Sequence, residues 1–298
     1  MVWCSGWKLA SVVSEKGGLG LLGAGSMYPE TLRTHIHRLK AVTSKPFGVN
    51  VPLLYPDIDA LMDVIDAEQV PIVFTSAGNP ATWTPWLKER GITVVHVVPN
   101  PKLALKCEQK GVDAVVCEGF EAGGHNGKDE ITSMCLIPQV ADAVSVPVIA
   151  AGGIGDGRGI MAALALGAEG VQIGSRFAIT QESSAHHQFK EAVREAAADA
   201  TVLSMKQVVP VRLLKNAFYE RIKAAEQRCA TPEELRHILG KRRAKAGIFE
   251  GELEEGELEI GQISGLITDV PSAAALFDRL LEEYRYAHRN LVNLEPYT

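Results

Sequence analysis

Short runs of apolar, often β-branched residues alternate with longer segments of helical periodicity through the first two thirds of the chain. Segments between the runs, such as Pro29–Val42 and Gly157–Leu166, predict amphipathic helices. Strands that alternate with helices in this way form βαβ units in a parallel sheet covered on both faces. The runs predict seven strands, at Leu19–Gly23, Phe47–Val51, Ile72–Ala77, Thr93–Val98, Ala114–Gly119, Val146–Ala151 and Val171–Phe177.

The spacing of the predicted strands is typical of an α/β protein with a (β/α)8 TIM barrel. Such a barrel needs eight strands, and the pattern predicts one fewer. Because Lys8–Glu15 is predicted as a helix that precedes Leu19–Gly23, we expect the first strand to lie upstream of Met1. A seven-stranded open sheet is the alternative. We assign residues 1–200 to the barrel.

The pattern changes after Phe177, and we assign residues 201–298 to a mainly helical C-terminal extension that packs on the barrel. The charge run from Glu250 to Glu259 and the alanine-rich helices are interpreted as surface and packing elements. The segment that follows the barrel pattern is predicted to contain helices over 181–240, a basic stretch from Lys241 to Lys245, a return segment at Ile260–Ile267 and a terminal helix at Ser272–Asn290 with Ser272 as its N-cap.

Composition limits the class of protein. The chain has 298 residues, 46% of them hydrophobic and 22% charged, which is ordinary for a globular fold. A net charge of −6 argues against nucleic-acid binding. No apolar run reaches the roughly 18 residues of a membrane span, and the N-terminal residues do not resemble a signal peptide. Five scattered cysteines without a CxxC pair indicate reduced thiols. We therefore expect a cytoplasmic protein without membrane or nucleic-acid partners.

The strongest candidate for chemistry is the segment Glu118–Gly127, directly after the fifth predicted strand. In a TIM barrel the active site forms at the carboxyl ends of the strands. Glycines in this segment, including Gly123, allow the backbone to approach a ligand closely. His125 lies among them, and a histidine at the barrel mouth can act as a general acid or base near neutral pH. We therefore predict His125 as a catalytic residue.

Two further glycine-containing turns predict a phosphate site. One holds Gly152 and Gly153 after the sixth predicted strand, and the other is Gln172–Ser175, with Ile173 and Gly174, in the last one. With an eighth strand restored, these turns follow strands seven and eight, where barrels commonly bind phosphate. Asn50, at the end of Phe47–Val51, is placed to hydrogen-bond a ring edge or a ribityl chain. A phosphate-bearing cofactor at the barrel mouth is the natural inference.

Other kinds of site are not favoured. The first βαβ unit has no clean GxGxxG fingerprint, and the chain has no GK[ST] sequence of a Walker A loop. Two histidine pairs, His35 with His37 and His186 with His187, lack a nearby carboxylate that would complete a metal site. Cys117 lies within a predicted strand without a paired base, so we do not expect a cysteine nucleophile.

Three motifs together resemble the nitronate monooxygenase (2-nitropropane dioxygenase) superfamily: EGFEAGGHNG from Glu118 to Gly127, PVIAAGGI from Pro147 to Ile154, and VQIGSRF from Val171 to Phe177. Within that superfamily the chain is most similar to the enoyl-acyl-carrier-protein reductase II branch. Support comes from GGLGLLGAG at Gly17–Gly25, PFGVN at Pro46–Asn50, AGNP at Ala77–Pro80 and GQISG at Gly261–Gly265. The resemblance implies an FMN-dependent (β/α)8 barrel.

The resemblance also implies roles for single residues. His125 matches the catalytic histidine of the family. Asn50, Glu118 and Gly123 match positions that line the flavin ring or the ribityl chain. The matches to the residues that hold the phosphate and the flavin are Gly152, Gly153, Gln172, Ile173, Gly174 and Ser175.

The leading functional hypothesis is an FMN-dependent enoyl-acyl-carrier-protein reductase that uses NADH or NADPH to reduce trans-2-enoyl thioesters. Its partner would be an enoyl thioester or the acyl carrier protein, and a homodimer is compatible with the resemblance. Within the superfamily the alternative is oxidation of alkyl nitronates with oxygen. A non-catalytic barrel that binds a phosphate ligand is a third hypothesis. The sequence does not decide between the two nicotinamide nucleotides.

Overall fold

The computed structural model describes residues 1–55 and 57–292. Its strands are short, and most begin within two residues of their predicted starts. In chain order they are β1 (Gly20–Gly23), β2 (Phe47–Pro52), β3 (Ile72–Ser76), β4 (Thr93–Val98), β5 (Ala114–Glu118), β6 (Gly124–His125), β7 (Val148–Ala151), β8 (Gly170–Gln172), β9 (Thr201–Ser204) and β10 (Val211–Leu214).

Twelve α-helices lie in the described part of the chain. They are α1 (Trp7–Glu15), α2 (Pro29–Val42), α3 (Ile58–Ala67), α4 (Thr84–Glu89), α5 (Pro101–Gln109), α6 (Ser133–Ala141), α7 (Gly157–Ala165), α8 (Ser175–Ala178), α9 (His187–Arg194), α10 (Ala217–Gln227), α11 (Pro232–Leu239) and α12 (Ala273–Val292). Side chains cap several of them: Asn100 accepts a hydrogen bond from the Leu103 N–H at α5, and Asp156 accepts from the Arg158 and Gly159 N–H groups at α7.

Seven parallel strands form one sheet in the order β1-β2-β3-β4-β5-β7-β8. The sheet curls into a TIM-type barrel with helices around it, which confirms the predicted fold class. Among the described residues no strand bridges β8 to β1. The strands are mainly apolar on both faces because one face meets the helices and the other the barrel interior.

The alternating faces of the strands divide the barrel core in two. The outward face packs on the helices in one large cluster that includes Leu22, Val49 and Val115. The inward face forms a separate cluster around Phe74, Val95, Val116 and Ala151. Since side chains alternate along a strand, the residue two positions after Val116 also faces inward, and that residue is Glu118. The apolar interior therefore ends in polar side chains at the carboxyl ends of the strands.

The extension contains strands where helices were expected. Residues 181–240 were predicted to be helical, but β9 and β10 form an antiparallel sheet in the order β6-β10-β9. The third member, β6, belongs to the loop after β5. One of the two partners of β10 therefore lies far away in the sequence, and the local pattern of residues does not predict this pairing. The last barrel strand was also predicted too long: β8 ends at Gln172, and Ser175 begins α8.

The terminal helix returns to the barrel wall. Ser272 caps α12 through its hydroxyl, which accepts a hydrogen bond from the Ala275 N–H, as predicted. Leu276 and Leu280 of α12 pack with Leu9 of α1 and with Phe177. The division at residue 200 stays a prediction, and residues 293–298 of the proposed extension lie outside the described residues. None of the described helices has the length and apolar character to cross a membrane.

Candidate active site

Three predicted site residues lie at the carboxyl ends of the barrel strands. Glu118 of β5 is in register with Ala151 of β7, which is in register with Gln172 of β8. These three positions form one row at the mouth. Asn50 lies on the opposite part of the sheet, with the Ser76 hydroxyl 3.5 Å from its Oδ1 atom. The structure therefore brings Asn50, Glu118 and Gln172 to the same end of the barrel.

Glu118 has a perturbed acidity. Its carboxyl lies at the top of the apolar barrel interior, and burial raises its pKa from 4.5 to about 7. A carboxyl with this pKa exchanges its proton near neutral pH. Perturbed acids at the mouth of a barrel are typical of functional sites.

Hydrogen bonds tie the loop after β5 to the neighbouring loop. The Glu121 carboxylate accepts from the Ser133 N–H at 3.0 Å, and the Ser133 hydroxyl lies 2.9 Å from the Gly152 carbonyl oxygen. Gly152 itself has a φ of +87°, and a Cβ atom there would lie 2.8 Å from the Gly119 carbonyl oxygen. Only glycine allows the two loops to approach each other in this way.

The two phosphate-site turns present free backbone donors. Within residues 1–55 and 57–292, the N–H groups of Gly153 and Ser175 have no hydrogen-bond partner. A Cβ atom added to Gly174 would meet only the Met1 side chain, at 3.7 Å from its Cγ atom, which is an ordinary van der Waals distance. The Ser175 hydroxyl accepts from the Gly261 N–H at 2.9 Å and keeps its own proton for another acceptor. Free N–H groups and a hydroxyl on the turns after two neighbouring strands, β7 and β8, suit an anion.

Gln172 provides a second test of whether this mouth fits a polar cofactor. Its Oε1 atom is buried and has no hydrogen-bond partner among the described residues. A buried acceptor of this kind costs free energy unless a donor reaches it. The hydroxyl and N–H groups of a flavin nucleotide are donors of the required kind, and the neighbouring free N–H groups suit its phosphate. The residues present therefore fit a flavin nucleotide. Ile173, by contrast, packs outward into the apolar clusters around the barrel wall.

His125 lies on β6, held by the pairing of β6 with β10 in which His125 is opposite Val211. Its side chain is 66% exposed, and its Nδ1 atom lies 3.8 Å from Oε1 of Glu259. The buried guanidinium of Arg212 donates to the Phe120 carbonyl oxygen and stacks 4.5 Å from the Phe120 ring. The extension thus fixes the loop that carries His125.

The sequence interpretation missed the extension's acidic side chains at the mouth. Glu257 and Glu259 were assigned to a surface charge run, but the Glu257 side chain is buried and that of Glu259 is only 10% exposed. Burial raises the pKa of both carboxyls, and Glu259 also raises that of Glu257. The Glu259 charge further raises the pKa of Tyr55, which burial has already raised. The sequence did contain a signal that this segment is not a simple surface charge run. Acidic and apolar residues alternate from Glu257 to Ile260, which is typical of an extended segment whose two faces have different surroundings.

Three other histidines, those of the two pairs considered in the sequence except His187, have structural contacts. The His37 Nε2 atom lies 2.9 Å from the Glu68 carboxylate, and His186 caps α9 by accepting from the Gln188 N–H. The His35 Nδ1 atom accepts from the Trp7 N–H. Among the residues whose placement is described, no group of three or more His, Cys, Asp or Glu side chains is arranged to hold a metal ion. Cys117 is fully buried, and burial raises its pKa to about 11.

Comparison with known proteins decides the family. The profile of the nitronate monooxygenase family matches residues 1–68 and 56–283. The chain belongs to the nitronate monooxygenase family. As a member of this family of oxidoreductases, it is an oxidoreductase. Proteins of the family are typically flavin-dependent. Membership argues against the hypothesis of a non-catalytic binding barrel.

Relatives with different activities share the family fold. FabK from Thermotoga maritima is 40% identical, with a TM-score of 0.93 over 98% of this chain and 93% of that one. The nitroalkane oxidase of Streptomyces ansochromogenes is 31% identical, with a TM-score of 0.84 over 97% and 94% of the two chains. In Mycobacterium tuberculosis, (3aS,4S,5R,7aS)-5-hydroxy-7a-methyl-1-oxo-octahydro-1H-indene-4-carboxyl-CoA dehydrogenase is 31% identical over 94% of this chain and 90% of its own length.

Proposed function

We propose that this protein is an FMN-dependent reductase of trans-2-enoyl thioesters that takes its electrons from NADH or NADPH. The observation that carries the proposal is the similarity to FabK, an enoyl-acyl-carrier-protein reductase II, which is greater in both identity and TM-score than the similarity to the nitroalkane oxidase. The Mycobacterium tuberculosis relative is by its name an enzyme of a CoA thioester, which also favours a thioester substrate.

The predicted cofactor residues have distinct parts in this proposal. The Gly153 and Ser175 N–H groups, with Gly152 and Gly174 beside them, would hold the phosphate. The buried Oε1 atom of Gln172 would accept a hydrogen bond from the flavin nucleotide. Asn50, Glu118 and Gly123 would line the ring and the ribityl chain, where the near-neutral carboxyl of Glu118 is able to donate as well as accept a hydrogen bond.

Bound FMN would supply hydride, derived from the reduced nicotinamide, to the β-carbon of the enoyl thioester. His125 would supply the proton. Its Nδ1 atom faces Glu259, which leaves Nε2 as the atom that holds a proton for the α-carbon. The exposed position of the imidazole at the mouth allows a thioester to reach it from solvent.

The direct test is anaerobic oxidation of NADH and NADPH by the FMN-loaded protein, with and without a trans-2-enoyl thioester. We expect thioester-dependent turnover, and we expect His125→Ala to lower it by about 10²–10⁴-fold while FMN stays bound. His237→Ala, which removes an exposed histidine on α11, is the matched control and should leave turnover unchanged. The proposal is wrong if neither nucleotide shows thioester-dependent oxidation.

Nitronate oxidation is the second candidate, favoured by the similarity to the nitroalkane oxidase. It predicts consumption of oxygen with an alkyl nitronate and no need for a nicotinamide. Measuring both reactions on one preparation separates the two candidates. An acyl-carrier-protein partner and a homodimer stay predictions, which titration with the carrier protein and light scattering would examine.

A further inference from the structure

His125 lies beside a carboxylate that comes from a distant part of the chain. Glu259 Oε1 is 3.8 Å from His125 Nδ1, and the Glu259 side chain is 10% exposed, far less than that of His125. The other carboxylate oxygen lies under the same strand, since a Cβ atom on Gly124 would be 2.9 Å from Oε2. The imidazole therefore covers a carboxylate that is largely removed from water.

Backbone contacts on both sides hold Glu259 in place. Leu213 of β10 forms an isolated antiparallel bridge with Glu259, and β10 also pairs with β6, which carries His125. Two residues further along, the Gly261 N–H donates to the Ser175 hydroxyl, and the Gln262 N–H donates to the Glu121 carbonyl oxygen at 2.9 Å. Strand pairing of the backbone thus fixes the relative position of the His125 and Glu259 side chains.

We propose that Glu259 is a positioning residue for His125: its carboxylate lies 3.8 Å from Nδ1, favours the form of the ring with hydrogen on that atom and thereby directs Nε2 to the substrate. This inference rests on the proposed function. A neutral imidazole with no partner exchanges between two tautomers, whereas a carboxylate at Nδ1 selects the form with hydrogen on that atom. In the same way, the carboxylate stabilises the imidazolium that must exist before proton transfer.

The proton balance is simple. The imidazolium of His125 would give its Nε2 proton to the α-carbon of the enoyl thioester, and bound FMN, reduced by the nicotinamide nucleotide, would supply the hydride for the β-carbon. The carbon–carbon double bond becomes a single bond, and His125 is left neutral with hydrogen on Nδ1. Solvent then returns the proton to Nε2. Glu259 neither gives nor receives a proton in this step and does not touch the substrate.

The electrostatics of the surroundings agree with this role. Burial raises the pKa of the Glu259 carboxyl, and the His125 charge acts in the opposite direction. The His125 charge therefore favours the ionised form of the Glu259 carboxyl. Glu257 is buried nearby, and both burial and the Glu259 charge raise the pKa of its carboxyl.

The test compares Glu259→Gln with Glu254→Gln, an exposed glutamate of the same segment. In the FMN-loaded protein we expect Glu259→Gln to lower kcat by about 10–100-fold, the usual effect of losing such a supporting group. KM for the thioester should change by less than about threefold, since Glu259 does not contact substrate. Glu254→Gln should behave as wild type. Nitrogen-15 spectra of the His125 ring should show loss of the Nδ1–H tautomer in Glu259→Gln only.

The outcomes separate this inference from the proposed function. If His125→Ala loses turnover but Glu259→Gln keeps kcat and the tautomer, Glu259 has no positioning role and the proposed function stands. If the wild type has no thioester-dependent activity, the proposed function fails. If the His125 ring spectrum is unchanged in Glu259→Gln, the inferred contact between Glu259 and His125 is wrong, whatever the activity. Glu259→Leu, of similar size and without charge, repeats the test should Glu259→Gln not fold.

Discussion

The contact between Gly123 and the extension gives a quantitative prediction. A Cβ atom on Gly123 would lie 2.5 Å from both the Gly261 nitrogen and the Ile260 carbonyl carbon. Non-bonded atoms of this kind need roughly 3.5 Å, so Gly123→Ala must move one of the two backbone segments by about 1 Å. Gly170→Ala is the matched control, because a Cβ atom there meets only Ile149 Cγ1, at 3.9 Å.

The expected cost has two parts. Forcing extra volume into a packed contact costs about 1–3 kcal/mol. Displacing the segment also weakens the bonds from the Gly261 and Gln262 N–H groups, each worth about 1 kcal/mol. We therefore expect Gly123→Ala to lower the free energy of unfolding by about 2–4 kcal/mol and Tm by roughly 4–12 °C. Urea denaturation and calorimetry measure this. Equal stability of the two variants, within about 0.5 kcal/mol, would refute the reasoning.

Two further predictions concern charged groups. Because burial raises the pKa of Glu118 from 4.5 to about 7, the folded state binds this proton more tightly than the unfolded state. The unfolding free energy should fall as pH rises through that interval, by on the order of 3 kcal/mol, and Glu118→Gln should remove this part of the decline in urea titrations at several pH values. Asp269 accepts from Arg279 at 2.7 Å and from the buried Arg176, and these contacts lower its pKa. Asp269→Asn should cost about 1–3 kcal/mol at pH 7, less than for a fully buried pair because Asp269 is partly exposed. The difference from wild type should shrink as pH falls below 4, and equal stability at pH 7 would contradict the assignment.

The barrel could be predicted from the sequence because its strands are local features. Runs such as Thr93–Val98 are apolar on both faces and are followed by helices with clear caps, so each βαβ unit is readable by itself. The mouth residues could also be predicted, because the carboxyl ends of parallel strands meet at one edge. Asn50, Glu118 and Gln172 are examples.

The features of the structure that could not be predicted from the sequence are mostly ones that depend on contacts between distant segments. Thr84–Glu89 is a helix of only six residues, too short for helical periodicity to show. β9 and β10 are stable as strands because β6 pairs with β10, a contact that no local window contains. Glu259 was assigned to a solvated charge run because its burial comes from β10 and from the loop after β5. Ser175 was assigned to a strand, since the apolar run continues to Phe177 beyond the start of α8.

The bridge between Leu213 and Glu259 has a consequence for the order of synthesis. The strands of the barrel leave the ribosome first, and at ordinary rates of translation the last hundred or so residues follow over roughly 5–20 s. During that interval the loop that carries His125 lacks β10, Glu259 and the Gly261 contact. The mouth is therefore incomplete until Glu259 and Gly261 have been synthesised, and a translation arrest near residue 250 would release a chain whose His125 lacks its partner.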